Sequence, residues 1–296
     1  MNCIPINKDE KIIISLTSDH ENINRTKIII NSINEQKVNK DLFIIVLILS
    51  INEYPNVGQL PEEIQILEKQ MRITILFVKE RMTYLRRTLI TMERFKNNAI
   101  LIINNNCILP EGWLKMFIND HLKYPNDAIA SSIQYYFGKN GEIKELSEGF
   151  KGEKFGTFNH ITEMVFNFAL FNIDLGGIIF PKKFFHNKKF YDYDLFLKST
   201  KNSEEFWESA FIMIEDKILR QSSKIFDFTK YLINDINYKP FNQTKKQIFE
   251  KNKISFVNMF PSFINTINLR QNKIIVSITS YPKRFLYLPD LMTIFH

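Results

Sequence analysis

Short apolar runs alternate with amphipathic stretches through the first half of the chain. Lys11 to Leu16 (KIIISL) and Leu42 to Leu49 are nearly continuous in Ile, Leu and Val, which predicts strands covered on both faces. Between them, Asn22 to Gln36 carries Ile28, Ile29 and Ile33 at helical spacing. Leu60 to Gln70 has a proline in its first turn and Ile64, Ile66 and Leu67 behind it, a short helix that leads into a strand over Ile73 to Val78. Met82 to Phe95 reads as helix, Ala99 to Ile103 as strand, Pro110 to Tyr124 as helix and Asp127 to Ile133 as strand. This alternation predicts an α/β fold built on a mainly parallel sheet with helices on both faces. Ligands of such sheets bind beyond the carboxyl ends of the strands, where the loops enter the helices.

The rhythm breaks after Ile133. Tyr135 to Phe158 contains Gly138, Gly141, Gly152 and Gly156 and reads as an irregular excursion over the site. A short strand with a glycine pair follows, LGGIIFP from Leu175 to Pro181, and then a helix from about Ser203 to Gln221. From Asn234 to Gln271 the text is polar and lysine-rich, a linker or helical extension. KIIISLTS at Lys11 to Ser18 returns 262 positions later as KIIVSITS at Lys273 to Ser280, identical at six of eight positions. The shared Ser-x-Thr-Ser ending points to a repeated unit whose second copy is truncated at His296.

Composition narrows the classes. At 296 residues, 45% hydrophobic and 24% charged, the chain can bury a large core. Two cysteines, Cys3 and Cys107, make neither a disulfide framework nor a zinc site, which fits a reducing compartment. No apolar stretch is long enough to span a bilayer, and the N-terminus lacks the pattern of a signal peptide, so the expected location is cytoplasmic. The formal charge of +7 suits phosphate-bearing ligands or an anionic membrane surface, although a chain this rich in Ile, Asn and Lys also carries lysine as plain solvated surface. His20, His121, His160 and His186 have no spacing that suggests a metal site or a triad. No phosphate-cradling glycine loop or nucleophile elbow is present, and basic residues are not interleaved with aromatics as in nucleic-acid binders.

Several phrases, taken in order, resemble the bacterial GT-A-fold glycosyltransferases related to the large inverting family 2. SITSYPKRF (Ser277 to Phe285) resembles the opening strand and turn of that group, and the first copy follows the same plan from Lys11 to about Arg220. ERMTYLRRTLITMERF resembles the helix that carries a tyrosine and a basic pair, matched by Tyr84, Arg86 and Arg87. ILIINNNCILPEGWL resembles a strand that normally ends in three aspartates, LGGIIFP the glycine-pair strand of the acceptor side, and SEEFWESA the start of an acidic helix. The resemblance implies a GT-A-like domain over 1–233, the extension over 234–271, and the start of a second repeat over 272–296.

It also implies chemistry. A nucleoside-diphosphate sugar would lie against Thr17, Ser18, Tyr84, Arg86, Arg87 and Asn104 to Asn106, with Gly176, Gly177 and Trp207 on the acceptor side. In the family the acidic triplet binds Mn²⁺ or Mg²⁺, which neutralises the leaving diphosphate. Here Asn104 and Asn106 stand in the metal position, and each lost carboxylate forfeits roughly several kcal/mol of attraction at an effective dielectric of ~20. Metal binding is therefore expected to be weak or absent. Glu205, or Glu204 beside it, is the candidate base for an inverting transfer, and an exposed acid at a helix start would look the same. The implied acceptor is a glycan or lipid-linked molecule of a surface-glycan pathway, with peripheral association at the inner face of the membrane. A noncatalytic copy that scaffolds a second, active domain is the other reading.

Overall fold

The computed structural model describes residues 11–79, 82–137, 143–145, 169–171, 176–200, 203–224, 226, 228–233 and 243–271. The glycines of the irregular excursion, Arg81, residues 234–242 and the second repeat at 272–296 lie outside the described residues.

Ten strands and eight α-helices lie among the described residues. In chain order they are β1 (Ile12–Thr17), α1 (Ile23–Asn34), β2 (Phe43–Ser50), α2 (Glu62–Lys69), β3 (Thr74–Val78), α3 (Tyr84–Arg94), β4 (Ile100–Ile102) and α4 (Trp113–Lys123). They continue with β5 (Ala128–Ala130), β6 (Ile133–Phe137), β7 (Ile143–Glu145), β8 (Ala169–Phe171), β9 (Ile178–Phe180) and α5 (Tyr193–Thr200). The last four are α6 (Glu204–Ile214), β10 (Leu219–Gln221), α7 (Gln243–Met259) and α8 (Phe263–Gln271).

The main sheet has the order β10-β5-β9-β4-β1-β2-β3. β1 pairs in parallel with β2 and β4, and β2 with β3, so the two apolar runs that open the chain lie at the centre. Only β9 runs against its neighbours, between β4 and β5. Alternation within each strand splits the core in two. Ile13, Val46, Ile48, Ile100 and Ile102 meet α3 and α5 to α8, whereas Ile12, Ile14, Leu16, Ile45, Leu47 and Leu101 meet α1, α2 and α4. The α/β architecture read from the sequence, with helices on both faces of a mainly parallel sheet, is the one observed. No helix among the described residues is long and apolar enough to cross a membrane.

Three boundaries differ from the sequence reading. The stretch 127–133 is not one strand: β5 ends at Ala130, and after Ser131 the chain joins a separate three-stranded antiparallel sheet, order β7-β6-β8. The helix expected to reach Gln221 stops at Ile214, where Asp216 takes a left-handed φ of 54° and the backbone N–H of Lys217 closes on Ile212. Leu219–Gln221 then gains more by pairing with β5, and the Arg220 to Asp127 ion pair and the Tyr124 ring under Arg220 hold that edge. The polar 243–271 stretch forms two helices whose Phe249, Phe256, Phe263 and Ile267 are buried in the main core. Their rings close on α6, with Phe206 5.7 Å from Phe256 and Trp207 5.8 Å from Phe256, each ring worth about 1.5–3 kcal/mol of burial.

Candidate functional site

The carboxyl ends of β1 and β4 lie side by side and are tied by side chains. Thr17 ends β1 by donating its hydroxyl to the Ile48 carbonyl at the end of β2, 2.8 Å away. Ser18 follows, and its Oγ lies 2.8 Å from the Thr26 hydroxyl of α1. That hydroxyl accepts from the side-chain amide of Asn105 at 3.1 Å. Ser18, Thr26 and Asn105 are all buried, so one short chain of polar contacts joins the two strand ends.

Asn104 turns the other way. Its Oδ1 accepts from Nη2 of Arg87 at 3.3 Å, while Nη1 donates to the Ile103 carbonyl at 2.7 Å. Arg87 is fully enclosed and cups the Tyr84 ring, with its guanidinium carbon 5.3 Å from the ring centroid. The sequence reading gave Arg87 to the nucleotide. Its guanidinium points into the protein, because this face of helix α3 is buried against the sheet. Tyr84 and Arg86 are half-buried at the first turn of α3, which Thr83 caps by accepting from the Arg86 N–H at 3.2 Å. Arg86 lies over the Tyr193 ring at 5.3 Å, and the Tyr193 hydroxyl meets Thr83 at 3.1 Å. Asn106 is half-buried.

Helix α6 brings its acids to the same region. Glu204 is half-buried, Glu205 is 8% exposed and Glu208 is wholly enclosed. Burial raises the Glu208 carboxyl well above the usual carboxylate range; Glu204 adds to this and Arg87 opposes it, which sets α6 and α3 within electrostatic reach of each other. The sequence reading missed Glu208. Its signal was an acid one turn after Glu204 in an otherwise apolar phrase, FWESAF. Thr26 and Tyr193 left no signal, since each is brought to the site by a different part of the chain.

The acceptor-side residues lie elsewhere in role. Trp207 is fully enclosed, its indole N–H donates to the Phe190 carbonyl at 3.1 Å, and neither ring face is open to a sugar. Gly176 and Gly177 are required by the backbone, with φ of 85° and 86°. A Cβ on Gly177 would lie 2.3 Å from the Ile102 carbonyl oxygen, and one on Gly176 would lie 2.2 Å from the Phe228 ring. The pair seats β9 against the end of β4.

The loop after β1 is built by Asp19, which accepts from the backbone and side-chain amides of Asn22 at 2.8 Å each. Its carbonyl accepts from the Tyr54 hydroxyl at 3.3 Å. Burial, with Glu53 and Asp19 close by, pushes the Tyr54 phenol up to about 12. The exposed His20 ring tilts against Tyr54 at 4.3 Å between centroids.

The residues at the metal position do not suit a hard divalent cation. The Asn104 carbonyl oxygen faces a guanidinium, and the Asn105 amide is spent on Thr26. Among the described residues no group of three or more His, Cys, Asp or Glu is arranged to hold a metal ion.

No family model matches the chain, and no curated protein matches it. Solved structures of similar chain path include 4-diphosphocytidyl-2C-methyl-D-erythritol synthase from Anaerococcus prevotii, at a TM-score of 0.43 and 13% identity, over 85% of this chain and 96% of that one. Another is CMP:2-keto-3-deoxy-manno-octonic acid synthetase in complex with CTP, at 0.43 and 6% identity, over 75% of this chain and 95% of that one. At these scores neither likeness bears on what this chain does.

Proposed function

We propose that this chain is a GT-A-like glycosyltransferase domain that binds a nucleoside-diphosphate sugar at the carboxyl ends of β1 and β4 without a divalent cation. The observation that carries this reading is the convergence at one place of the strand ends, joined through Ser18, Thr26 and Asn105, with the Arg87-held Asn104 and the acids of α6. In this reading Arg86 and Asn106, both half-buried, meet the diphosphate, because guanidinium and amide N–H groups suit phosphate oxygens. Glu205 is the candidate base, taking the proton of an acceptor hydroxyl as it attacks the anomeric carbon with inversion.

One observation favours a second reading, a noncatalytic binding or scaffolding copy. Asn104 and Asn105 are 5% and 4% exposed and committed to protein partners, so the strand end is organised as structure. Calorimetry with UDP-glucose and GDP-mannose, with and without Mn²⁺, tests the main reading. Binding of either donor with the same affinity in both conditions is the expected result, and no binding under either condition overturns it. Release of free sugar or transfer to a glycan acceptor by the wild type, lost in Glu205→Gln, separates the enzyme from the scaffold.

A further inference from the structure

Tyr193 opens helix α5, and Asp192 fixes that start by accepting from the Leu195 N–H at 2.9 Å. One turn on, Phe196 stacks behind the Tyr193 ring at 5.7 Å between centroids, and Phe196 in turn meets Trp207 of α6 edge-on at 5.7 Å. Phe196 and Trp207 are fully enclosed, so the half-buried tyrosine stands at the outer end of a row of rings rooted in the core. Its hydroxyl is held as well, 3.1 Å from that of Thr83, the residue that caps α3.

Arg86 is tied to this assembly at both ends. Its backbone N–H donates to the Thr83 hydroxyl at 3.2 Å, and its guanidinium carbon lies over the Tyr193 ring, 5.3 Å from the centroid. A long arginine side chain carries much rotamer entropy that binding a phosphate would freeze; one already laid over a ring has given up part of it before the ligand arrives. The ring takes the face of the guanidinium, whereas a phosphate is met by the N–H groups in its plane, so the two contacts are compatible. Arg87 is the contrast, since two of its donors go to the Ile103 carbonyl and Asn104 inside the protein. We propose that Tyr193 is a positioning residue of the donor site, a platform that holds the Arg86 guanidinium in the orientation that meets the diphosphate. This rests on the donor-binding reading above. Tyr193 touches no reacting atom in this scheme, and Trp207 serves it from the far end of the ring row, as footing for the platform.

The test is a double-mutant cycle read by calorimetry of UDP-glucose and GDP-mannose on the wild type, Tyr193→Leu, Arg86→Gln and the double variant. Tyr193→Leu is expected to lower donor affinity by about tenfold when Arg86 is present and by less than about twofold once it is replaced. Tyr193→Phe, which keeps the ring and loses only the hydroxyl, is expected to stay within about threefold of the wild type. A tyrosine that merely supported the fold would cost the same affinity in both backgrounds. That result, or no loss in Tyr193→Leu, overturns the platform and leaves donor binding standing. No binding of either donor by the wild type overturns the donor reading, and the platform with it. The wild type also supplies a check that needs no variant to fold: the donor is expected to slow modification of Arg86 by phenylglyoxal, with the exposed Arg72 and Arg94 as internal references. Equal rates at Arg86 with and without a bound donor overturn the proposal.

Discussion

Arg87 and Asn104 meet at 3.3 Å inside the protein, and the guanidinium that holds the amide also takes the Ile103 carbonyl at 2.7 Å. A permanent cation thus occupies the wall of the site where the sequence resemblance implies a divalent ion. Two of its donors go to an amide oxygen and a backbone carbonyl, and Glu208 of α6 lies within its electrostatic reach.

Removing the guanidinium leaves a buried carbonyl and a buried amide oxygen without donors. Arg87→Met is expected to lower the unfolding free energy by about 2–4 kcal/mol, read as a shift in the urea midpoint at constant slope.

Restoring acids at the strand end does not by itself restore a metal site. In Asn104→Asp with Asn106→Asp, the new carboxylate at 104 pairs with Arg87 and is no longer available to a cation. The double variant is expected to bind Mn²⁺ no better than the wild type in an electron paramagnetic resonance titration, whereas adding Arg87→Met creates Mn²⁺ binding. Strong Mn²⁺ uptake by the double variant would show that Arg87 does not govern the site.

Glu208 gives stability a pH dependence of defined sign. Its folded-state pKa is raised, so both states are protonated at low pH and the full stability is present there. As pH rises past the ordinary glutamate value, the unfolded chain loses its proton first, and stability declines until the folded carboxyl also ionises. Urea unfolding between about pH 4 and pH 8 is expected to show this decline in the wild type and a shallower one in Glu208→Gln.

The glycines differ in what they resist. Gly177→Ala meets a left-handed backbone and a carbonyl oxygen 2.3 Å from the new Cβ, and a loss of at least about 2–3 kcal/mol is expected. Gly112 has a similar φ of 82°, but the nearest atom is the flexible Lys224 Nζ at 3.9 Å, so Gly112→Ala should cost only about 1 kcal/mol. Thermal melts of the two variants side by side provide the comparison.

The 243–271 helices are part of the core that carries α6. Phe256 stacks on Phe260 at 4.4 Å and meets Phe206, Trp207, Phe211 and Phe263. Phe256→Ala is expected to cost about 3–5 kcal/mol, measured by denaturant unfolding. A change under about 1 kcal/mol would show that these helices are held independently of α6.

By itself, the sequence determined the class of fold. Runs such as IIISL and FIIVLIL can be covered on both sides only in a central parallel sheet. It did not determine where α6 ends, because the gain that draws Leu219–Gln221 into a strand is an open edge on β5, 91 residues earlier in the chain. Nor did it determine which way the charged groups of the site face. Arg86 and Arg87 are adjacent letters of the same type, yet a helix turns about 100° per residue, so one lies half-open beside Tyr193 and the other is sealed against Asn104. Trp207 and Glu208 are both buried, Trp207 against Phe256 of α7 and Glu208 on the side of α3, elements distant in sequence that only the tertiary structure brings to them.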